Sequence, residues 1–311
     1  MEVWFILLII ILCIALTYIS KILEEKFLKP YFNGQQKGDG SEGFENQEVV
    51  GAYPESKGLI RWLDNTELYD SFYCGIYDQL TQGSVRTQAE VGLALNEWTK
   101  KGEDLKTFEV LDAGCGTGIA TVSLAKMKTI PQTTLTEEQK DKISWKEADL
   151  IDSASSAGGE YTHAIMLYFT IYYVPDKETV FRNLYFWVKP GGRLVVHVVN
   201  KHKFDPMLES SAPWLGFSLQ KYSDTRVTKS EVVFEKFKYT GEFDLQDPAA
   251  EFRETFRFND DTVRRQRHTF QMENIDAIVG MAKAAGWEYS GFIDLTPVSF
   301  EYAYHLHFKH P

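Results

Sequence analysis

The first strong hydrophobic pattern of the chain is a run of 17 uncharged residues, Val3 to Ile19, which lies between Glu2 and Lys21. As a helix this run extends about 26 Å, close to the roughly 30 Å of a bilayer's hydrocarbon core. Trp4 and Tyr18 stand near its two ends, where aromatic side chains favour the membrane interface. The pattern predicts a transmembrane helix within residues 1–29.

A cleaved signal peptide is the alternative interpretation of this run. It requires a basic start and a small-residue cleavage site, whereas this chain begins Met1-Glu2 and continues Thr17-Tyr18-Ile19-Ser20-Lys21. We therefore expect a single-pass anchor. The nearby lysines all follow the run, which predicts that the rest of the chain faces the cytosol.

Residues 30–58 have few apolar positions in any period and are rich in Gly, Gln, Glu and Ser. This composition predicts a flexible linker. Residues 59–311 are then one globular domain.

Within that domain the hydrophobic period changes repeatedly between the helical and the strand value. Helices are predicted over Thr66–Gln82, Ser84–Lys100, Ile119–Met127, Thr179–Val188 and Asn274–Ala285, and strands over Phe108–Asp112, His163–Tyr168 and Arg193–Val199. Strands that alternate with helices predict a doubly wound, mostly parallel sheet with helices on both faces. In such a sheet the ligand lies at the carboxyl ends of the strands.

A glycine-rich turn follows the first of these strands. Asp112 is followed by Ala-Gly-Cys-Gly-Thr-Gly, with glycines at 114, 116 and 118, and then by a helix. Glycines let the backbone turn tightly and approach a ligand, and free N–H groups at a helix start suit an anionic group. The spacing G-x-G-x-G differs from the G-x-G-x-x-G of nicotinamide dinucleotide sites, which disfavours an oxidoreductase.

The segment Glu109-Val-Leu-Asp-Ala-Gly-Cys-Gly-Thr-Gly118 resembles the first motif of class I S-adenosylmethionine-dependent methyltransferases. Trp145-Lys-Glu-Ala-Asp149 is similar to their third-strand adenine motif, and Val188-Lys-Pro-Gly-Gly-Arg-Leu194 to the turn into their fifth strand. Ile171-Tyr-Tyr-Val-Pro175 lies where the small-molecule branch often carries Leu-His-His-Val-Pro. The resemblance implies a Rossmann-like fold, S-adenosylmethionine as cofactor and a small-molecule substrate.

The resemblance also implies roles for particular residues. Asp112 and the glycines would line the methionine end of the cofactor, Asp149 would meet the adenine amino group, and Phe169 would lie in the loop beside the cofactor. An aromatic helix with Tyr69, Tyr73 and Tyr77 would close over it. The implied cofactor-binding residues are Asp112, Gly114, Cys115, Gly116, Gly118, Asp149, Phe169 and Tyr77.

Four residues are weak candidates for the catalytic step. Tyr172 and Tyr173 occupy positions that often face the substrate in relatives, and His197 and His202 lie at and just after the fifth strand. Each also has a structural interpretation, as a packed tyrosine or a hydrogen-bonded histidine. Methyl transfer from a sulfonium needs positioning and exclusion of water rather than a metal or a covalent intermediate.

The chain departs from the family between the first motif and the adenine motif. The family has a second strand there, which ends in an acid that binds the ribose hydroxyls. Here Thr129–Ser144 contains a proline, no β-branched apolar run and a capping box from Thr136 to Gln139, which predicts one short helix. We therefore expect the second strand and its acid to be missing, with Glu137 or Glu138 as substitutes for the acid.

The region from about 201 to 272 reads as an inserted antiparallel sheet over the substrate mouth. Alternating patterns predict strands over Glu231–Tyr239, Glu251–Phe258 and Arg265–Gln271. Trp287–Leu295 and Ser299–Phe308 are predicted to close the central sheet as a hairpin. His305, His307 and His310 have no acid or cysteine at ligand spacing beside them, so we expect edge-strand residues and no metal site.

Composition narrows the class of protein. The net charge of −11 and a pI near 5.2 disfavour nucleic acid as a partner. Three cysteines without C-x-x-C spacing exclude a disulfide framework or a zinc knuckle. We expect a membrane-tethered methyltransferase that acts on a small molecule, which the anchor allows to be amphiphilic. The alternative is a non-catalytic binding or scaffold protein with a decayed cofactor pocket.

Overall fold

The computed structural model describes residues 49–54, 58, 61–81, 83–100, 102–127, 140–206, 226–298 and 300–311. All of these except Val49 belong to one compact unit, Val50–Pro311. The predicted anchor and most of the predicted linker lie outside the described residues. From Val49 onward, the described helices are all too short or too polar to cross a membrane.

The described chain contains six α-helices and eleven strands. The helices are α1 Ser71–Leu80, α2 Gly83–Thr99, α3 Ile119–Met127, α4 Thr170–Tyr173, α5 Lys177–Trp187 and α6 Ile275–Ala284. The strands are β1 Ala52–Pro54, β2 Trp62–Leu63, β3 Val110–Asp112, β4 Tyr161–Met166, β5 Val188–Val199, β6 Lys229–Val233, β7 Phe237–Gln246, β8 Ala249–Phe258, β9 Thr262–Gln271, β10 Glu288–Asp294 and β11 Ala303–Lys309.

The central sheet has the order β10-β11-β5-β4-β3. Strands β3, β4 and β5 are parallel, and β11 is antiparallel to both of its neighbours. Strand β10 therefore runs parallel to β5. The prediction of a Rossmann-like, mostly parallel α/β sheet is confirmed.

Two hydrophobic cores cover the two faces of this sheet. Ile165 and Val195 pack with the apolar stripe of α2 and with α3. Their neighbours Ala164 and Val196 point to the opposite face, where α5 and α6 lie. Side chains alternate along a strand, so one buried apolar run can support helices on both faces.

The prediction of a strand at Trp145–Asp149, which the family resemblance implies, is wrong. Residues 143–149 form no strand, and β3 pairs only with β4 among the described residues. Trp145 is 58% exposed, and the polar residues around it offer no apolar face to bury against a sheet. Glu137 and Glu138 lie outside the described residues.

The insertion after β5 is an antiparallel sheet, as predicted, in the order β1-β9-β8-β7-β6, with β2 also paired to β9. The predicted strand Glu231–Tyr239 is in fact two strands, β6 and the start of β7. Phe234 N donates to Phe237 O at 2.9 Å across a tight turn, which places the charged pair Glu235-Lys236 at the tip. Ala52–Pro54, within the segment predicted to be a linker, pairs with the edge of β9.

The closing strands β10 and β11 agree with the predicted hairpin, but β11 is not an edge strand. It lies between β5 and β10, so His305, His307 and His310 are all buried. The expectation that these histidines decorate an edge is therefore wrong. Sequence alternation alone does not show which of two adjacent strands is internal.

Candidate functional site

The glycine-rich turn lies at the carboxyl end of β3 and leads into α3. Gly114 and Gly116 have φ values of +75° and +54°, a left-handed conformation that favours glycine. Both are exposed. A Cβ at Gly116 would have no atom within 4 Å, so the turn is open at this point, whereas one at Gly114 would meet Thr170.

Asp112 is the last residue of β3 and lies at the base of this turn. Its Oδ2 accepts a hydrogen bond of 2.7 Å from the Thr121 hydroxyl. Burial raises the pKa of Asp112 to about 6 despite this bond. In the described part of the chain no Lys, Arg or His pairs with Asp112.

The far side of the turn carries an aromatic ring. A Cβ at Gly118 would lie 2.5 Å from Cη2 of Trp145, so this ring packs directly on the glycine. Asp149 is exposed, and its Oδ1 accepts a hydrogen bond of 2.9 Å from Ile151 N. The segment from Trp145 to Asp149 therefore lies beside the turn without being a strand.

A tyrosine network lies between α1, α4 and the inserted sheet. Tyr69 donates to the Tyr173 hydroxyl at 2.8 Å, and Tyr173 lies 2.5 Å from Nδ1 of His268. Tyr73 Oη is 3.2 Å from Nε2 of the same histidine. Burial raises the pKa of each of these tyrosines, so they remain neutral hydroxyls.

The inner end of the network is a buried carboxylate. Glu254 on β8 accepts hydrogen bonds from His268 Nε2 at 2.6 Å, Gln266 Nε2 at 2.6 Å and Tyr239 Oη at 2.8 Å. Burial alone would raise its pKa, but His268 and the hydrogen bonds hold the pKa of Glu254 below its ordinary value. Glu254 is 1% exposed and His268 is 2% exposed.

Two contacts join the glycine-rich turn to this network. Thr117 donates to Asp78 Oδ1 of α1 at 2.8 Å. Thr170, the first residue of α4, packs against Gly114, and Tyr173 is its last residue. Three residues of helix correspond to a rise of about 4.5 Å, so α4 links the turn to the network over a short distance.

A second buried cluster lies between α2 and the central sheet. Glu90 Oε2 on α2 lies 2.6 Å from His197 Nδ1 and 3.0 Å from His305 Nε2. These groups also form a candidate metal-binding set. The distances are those of hydrogen bonds, however, and two ligands of one tetrahedral zinc would lie about 3.3 Å apart.

The comparisons with known proteins decide the family. A family model described as a methyltransferase domain matches residues 86–290, which include the glycine-rich turn, Glu254 and His268. The chain belongs to this methyltransferase family. No protein of curated function matches its sequence.

Two solved structures share the methyltransferase fold. One is an S-adenosylmethionine-dependent methyltransferase from Clostridium acetobutylicum, with 14% identity and a TM-score of 0.51 over 76% of this chain and 97% of that one. The other is the CcbJ methyltransferase from Streptomyces caelestis, with 12% identity and a TM-score of 0.53 over 78% of this chain and 98% of that one. At these identities the likeness concerns the fold alone.

The four catalytic candidates of the methyltransferase domain lie in different environments. Tyr173 is part of the network, whereas the Tyr172 hydroxyl is buried and accepts a hydrogen bond of 2.9 Å from Val199 N. His197 belongs to the Glu90 cluster, and His202 is an exposed residue 3.7 Å from Asp247. Of the four, Tyr173 is the one that belongs to the tyrosine network, which α4 links to the turn.

Three predicted cofactor residues also have defined surroundings. Phe169 packs on Phe204 and Phe270, with ring centroids 5.4 and 5.6 Å away. Tyr77 packs against Tyr69 on the inner face of α1. Cys115 is half-buried, and burial together with Asp112 raises the pKa of its thiol.

Sequence reasoning missed His268 and Glu254. Both lie in strands that were correctly predicted, but their pairing depends on the register of β8 and β9, in which Glu254 faces Gln266. The available signal in the sequence is that each of these two strands, in which apolar and polar residues alternate, contains an ionisable residue, Glu254 or His268.

Proposed function

We propose that this methyltransferase uses S-adenosylmethionine to methylate a small molecule at the mouth between α1, α4 and the inserted sheet. The single observation that carries the proposal is Asp112, a carboxylate without a cationic partner among the described residues, beside an open glycine turn. A cationic cofactor supplies the missing partner.

The described residues fit the methionine end of this cofactor. Asp112 would hold the α-ammonium group, and Gly114 and Gly116 would let the backbone lie against the carboxylate and the sulfonium. N–H groups at the start of α3 point toward this space and favour a carboxylate there. When bound, the cofactor supplies an electrophilic methyl group on positively charged sulfur.

The adenosine end is held differently from the family pattern. No acid at a second-strand end is present among the described residues, and Trp145 and Asp149 are the groups that lie beside Gly118. Both are exposed, so they would gain burial when an adenine base covers them.

The surrounding residues orient the acceptor and exclude water. Tyr69 lies just before α1, Tyr73 lies on α1 and Tyr173 on α4, and their rings contact one another. Aromatic faces stabilise a sulfonium methyl by cation–π attraction. Positioning of the two reactants supplies a large part of the rate in such a displacement.

A transfer experiment tests the proposed reaction. The full chain is incubated with S-adenosylmethionine tritiated at the methyl group and with lipid, quinone and water-soluble metabolite extracts. We expect label in a small molecule, and none when Gly116→Ala replaces the wild-type chain. Label confined to protein or nucleic acid would overturn the substrate class.

The second candidate function is a binding or scaffold role with a decayed pocket, which the absence of a ribose-binding acid from the described residues favours. It predicts neither transfer nor cofactor binding. The membrane anchor at residues 3–19, with the domain on the cytosolic side, stays a prediction, and so does an amphiphilic acceptor.

A further inference from the structure

Resting on the proposed function, we propose that Tyr69, Tyr173 and His268 form a proton relay, positioned by Glu254, that removes the proton of the methyl acceptor. The acceptor is accordingly a hydroxyl group, and the reaction is O-methyl transfer. The relay begins at Tyr69, which is 44% exposed, and ends at His268, which is 2% exposed.

The relay is continuous in its hydrogen bonds. The Tyr69 hydroxyl donates to the Tyr173 oxygen at 2.8 Å, and the Tyr173 hydroxyl lies 2.5 Å from Nδ1 of His268. Since Tyr173 accepts from Tyr69, its own proton is free to point at Nδ1.

Glu254 fixes which nitrogen of His268 carries the proton. Its Oε2 lies 2.6 Å from Nε2, and it has no proton of its own to donate because its pKa is lowered. Nε2 therefore carries the proton, and Nδ1 is left as the acceptor. The same carboxylate stabilises the imidazolium that forms when Nδ1 gains a proton.

The tyrosines act as hydroxyls in this relay and not as phenolates, because burial raises their pKa values. The acceptor oxygen bonds to the methyl carbon as the carbon–sulfur bond breaks, and the electron pair of that bond stays on sulfur. The acceptor proton passes to Tyr69, the Tyr69 proton to Tyr173, and the Tyr173 proton to His268. His268 returns the proton to water after the products leave.

This arrangement favours an oxygen acceptor over an amine. A neutral amine attacks through its lone pair and loses a proton afterwards to solvent. An alcohol or phenol is a weak nucleophile until its proton begins to leave, so it gains more from a positioned base.

Several charged and titratable groups surround His268. Tyr73 approaches from α1, Tyr173 from α4, Tyr239 from β7 and Glu254 from β8. Arg264 on β9 acts through Gln266, whose side-chain oxygen accepts a hydrogen bond of 2.9 Å from Arg264 Nε. Arg264 is itself paired with Asp70 at 2.5 Å. Of these groups, Glu254 is a charged side chain that bonds directly to His268.

Nitrogen NMR on the full chain with ¹⁵N-labelled histidine tests the relay without an acceptor. We expect the ring proton of the neutral His268 to lie on Nε2, and Tyr173→Phe to shift the Nδ1 resonance. A ring proton on Nδ1 of the neutral histidine would overturn the relay.

Turnover tests the same relay during transfer, with tritiated S-adenosylmethionine and the extracts used for the wild type. Tyr173→Phe and His268→Gln should lower the transfer rate about 100-fold and flatten its dependence on pH. The matched control is Tyr172→Phe, the same change at the neighbouring residue, whose hydroxyl bonds to the backbone of Val199. It should leave the pH profile as in the wild type.

The two proposals fail in distinguishable ways. If the wild type transfers no label, the proposed function fails, and the NMR result still decides whether the relay exists. If label is transferred but Tyr173→Phe behaves like Tyr172→Phe, or if the labelled product is an N-methyl compound, the relay proposal is wrong while the methyltransferase proposal stands.

Discussion

Asp112→Asn should make the cofactor-free protein more stable at pH 8 by about 3 kcal/mol and should weaken its binding of S-adenosylmethionine at least ~10-fold. The two effects have one cause. Asp112 is a carboxylate held without a cation, which costs stability until the cofactor's ammonium group supplies one.

The raised pKa of Asp112 determines how the stability of the cofactor-free chain depends on pH. The pKa of Asp112 is about 6 in the folded chain, and it is roughly 3.9 in an unfolded one. Between these values the folded state binds more protons, so the wild-type free energy of unfolding falls as pH rises and is lowest above about pH 6. The free energy of unfolding of the Asp112→Asn variant should not fall in this way. The affinity of the wild type for the cofactor should rise over the same pH range.

Urea unfolding of the cofactor-free chain at pH 4 and pH 8, followed by calorimetric titration at pH 8, measures both effects. Asp176→Asn is the control of opposite sign. Hydrogen bonds from Thr179 lower the pKa of the exposed Asp176 carboxyl, which caps a helix, so removing this carboxylate should reduce stability at pH 8. An Asp112→Asn chain that is less stable than the wild type at pH 8, or that binds the cofactor equally well, contradicts this role.

Glu90→Leu should lower the free energy of unfolding by about 3–5 kcal/mol. Glu90 is 1% exposed and is shared by His197 and His305, which come from two adjacent strands of the sheet. Burial alone would raise its pKa, but the two histidines hold the pKa of Glu90 far below its ordinary value. Leucine leaves both imidazole N–H groups buried without an acceptor.

Thermal and urea unfolding measure this effect, with two variants as comparisons. Glu90→Gln keeps one acceptor oxygen and should have an intermediate effect. Glu97→Leu, on the same helix, removes an acid whose partner Lys100 is exposed, and should change stability by less than about 1 kcal/mol. Equal stability of the Glu90→Leu and Glu97→Leu chains would show that the cluster has no structural role.

The elements that sequence predicted well are those with a strong local pattern. The buried strands β4 and β5, the helices on either side of them and the turn from Asp112 to Gly118 all follow from periodicity and glycine spacing. In each case the side chains that decide the element are neighbours in sequence.

The predictions that failed depend on distant partners. Trp145 matches a family motif, but the polar residues around it offer no apolar face for a strand to bury against the sheet. Glu90 and His305 are 215 positions apart, and Glu254 meets His268 only in the register of two paired strands. Such contacts are set by topology and strand register, which local patterns leave open.

Calorimetric titration of the full chain with S-adenosylmethionine most directly tests the cofactor site at the turn from Asp112 to Gly118. Gly116→Ala places a methyl group in open space on the turn, whereas Gly102→Ala introduces the same strain at φ +81°, again with no atom within 4 Å, in the loop between α2 and β3. We expect saturable heat from the wild type and from Gly102→Ala, and none from Gly116→Ala. No heat from the wild type at millimolar cofactor, or equal heat from all three chains, would contradict a cofactor site at this turn.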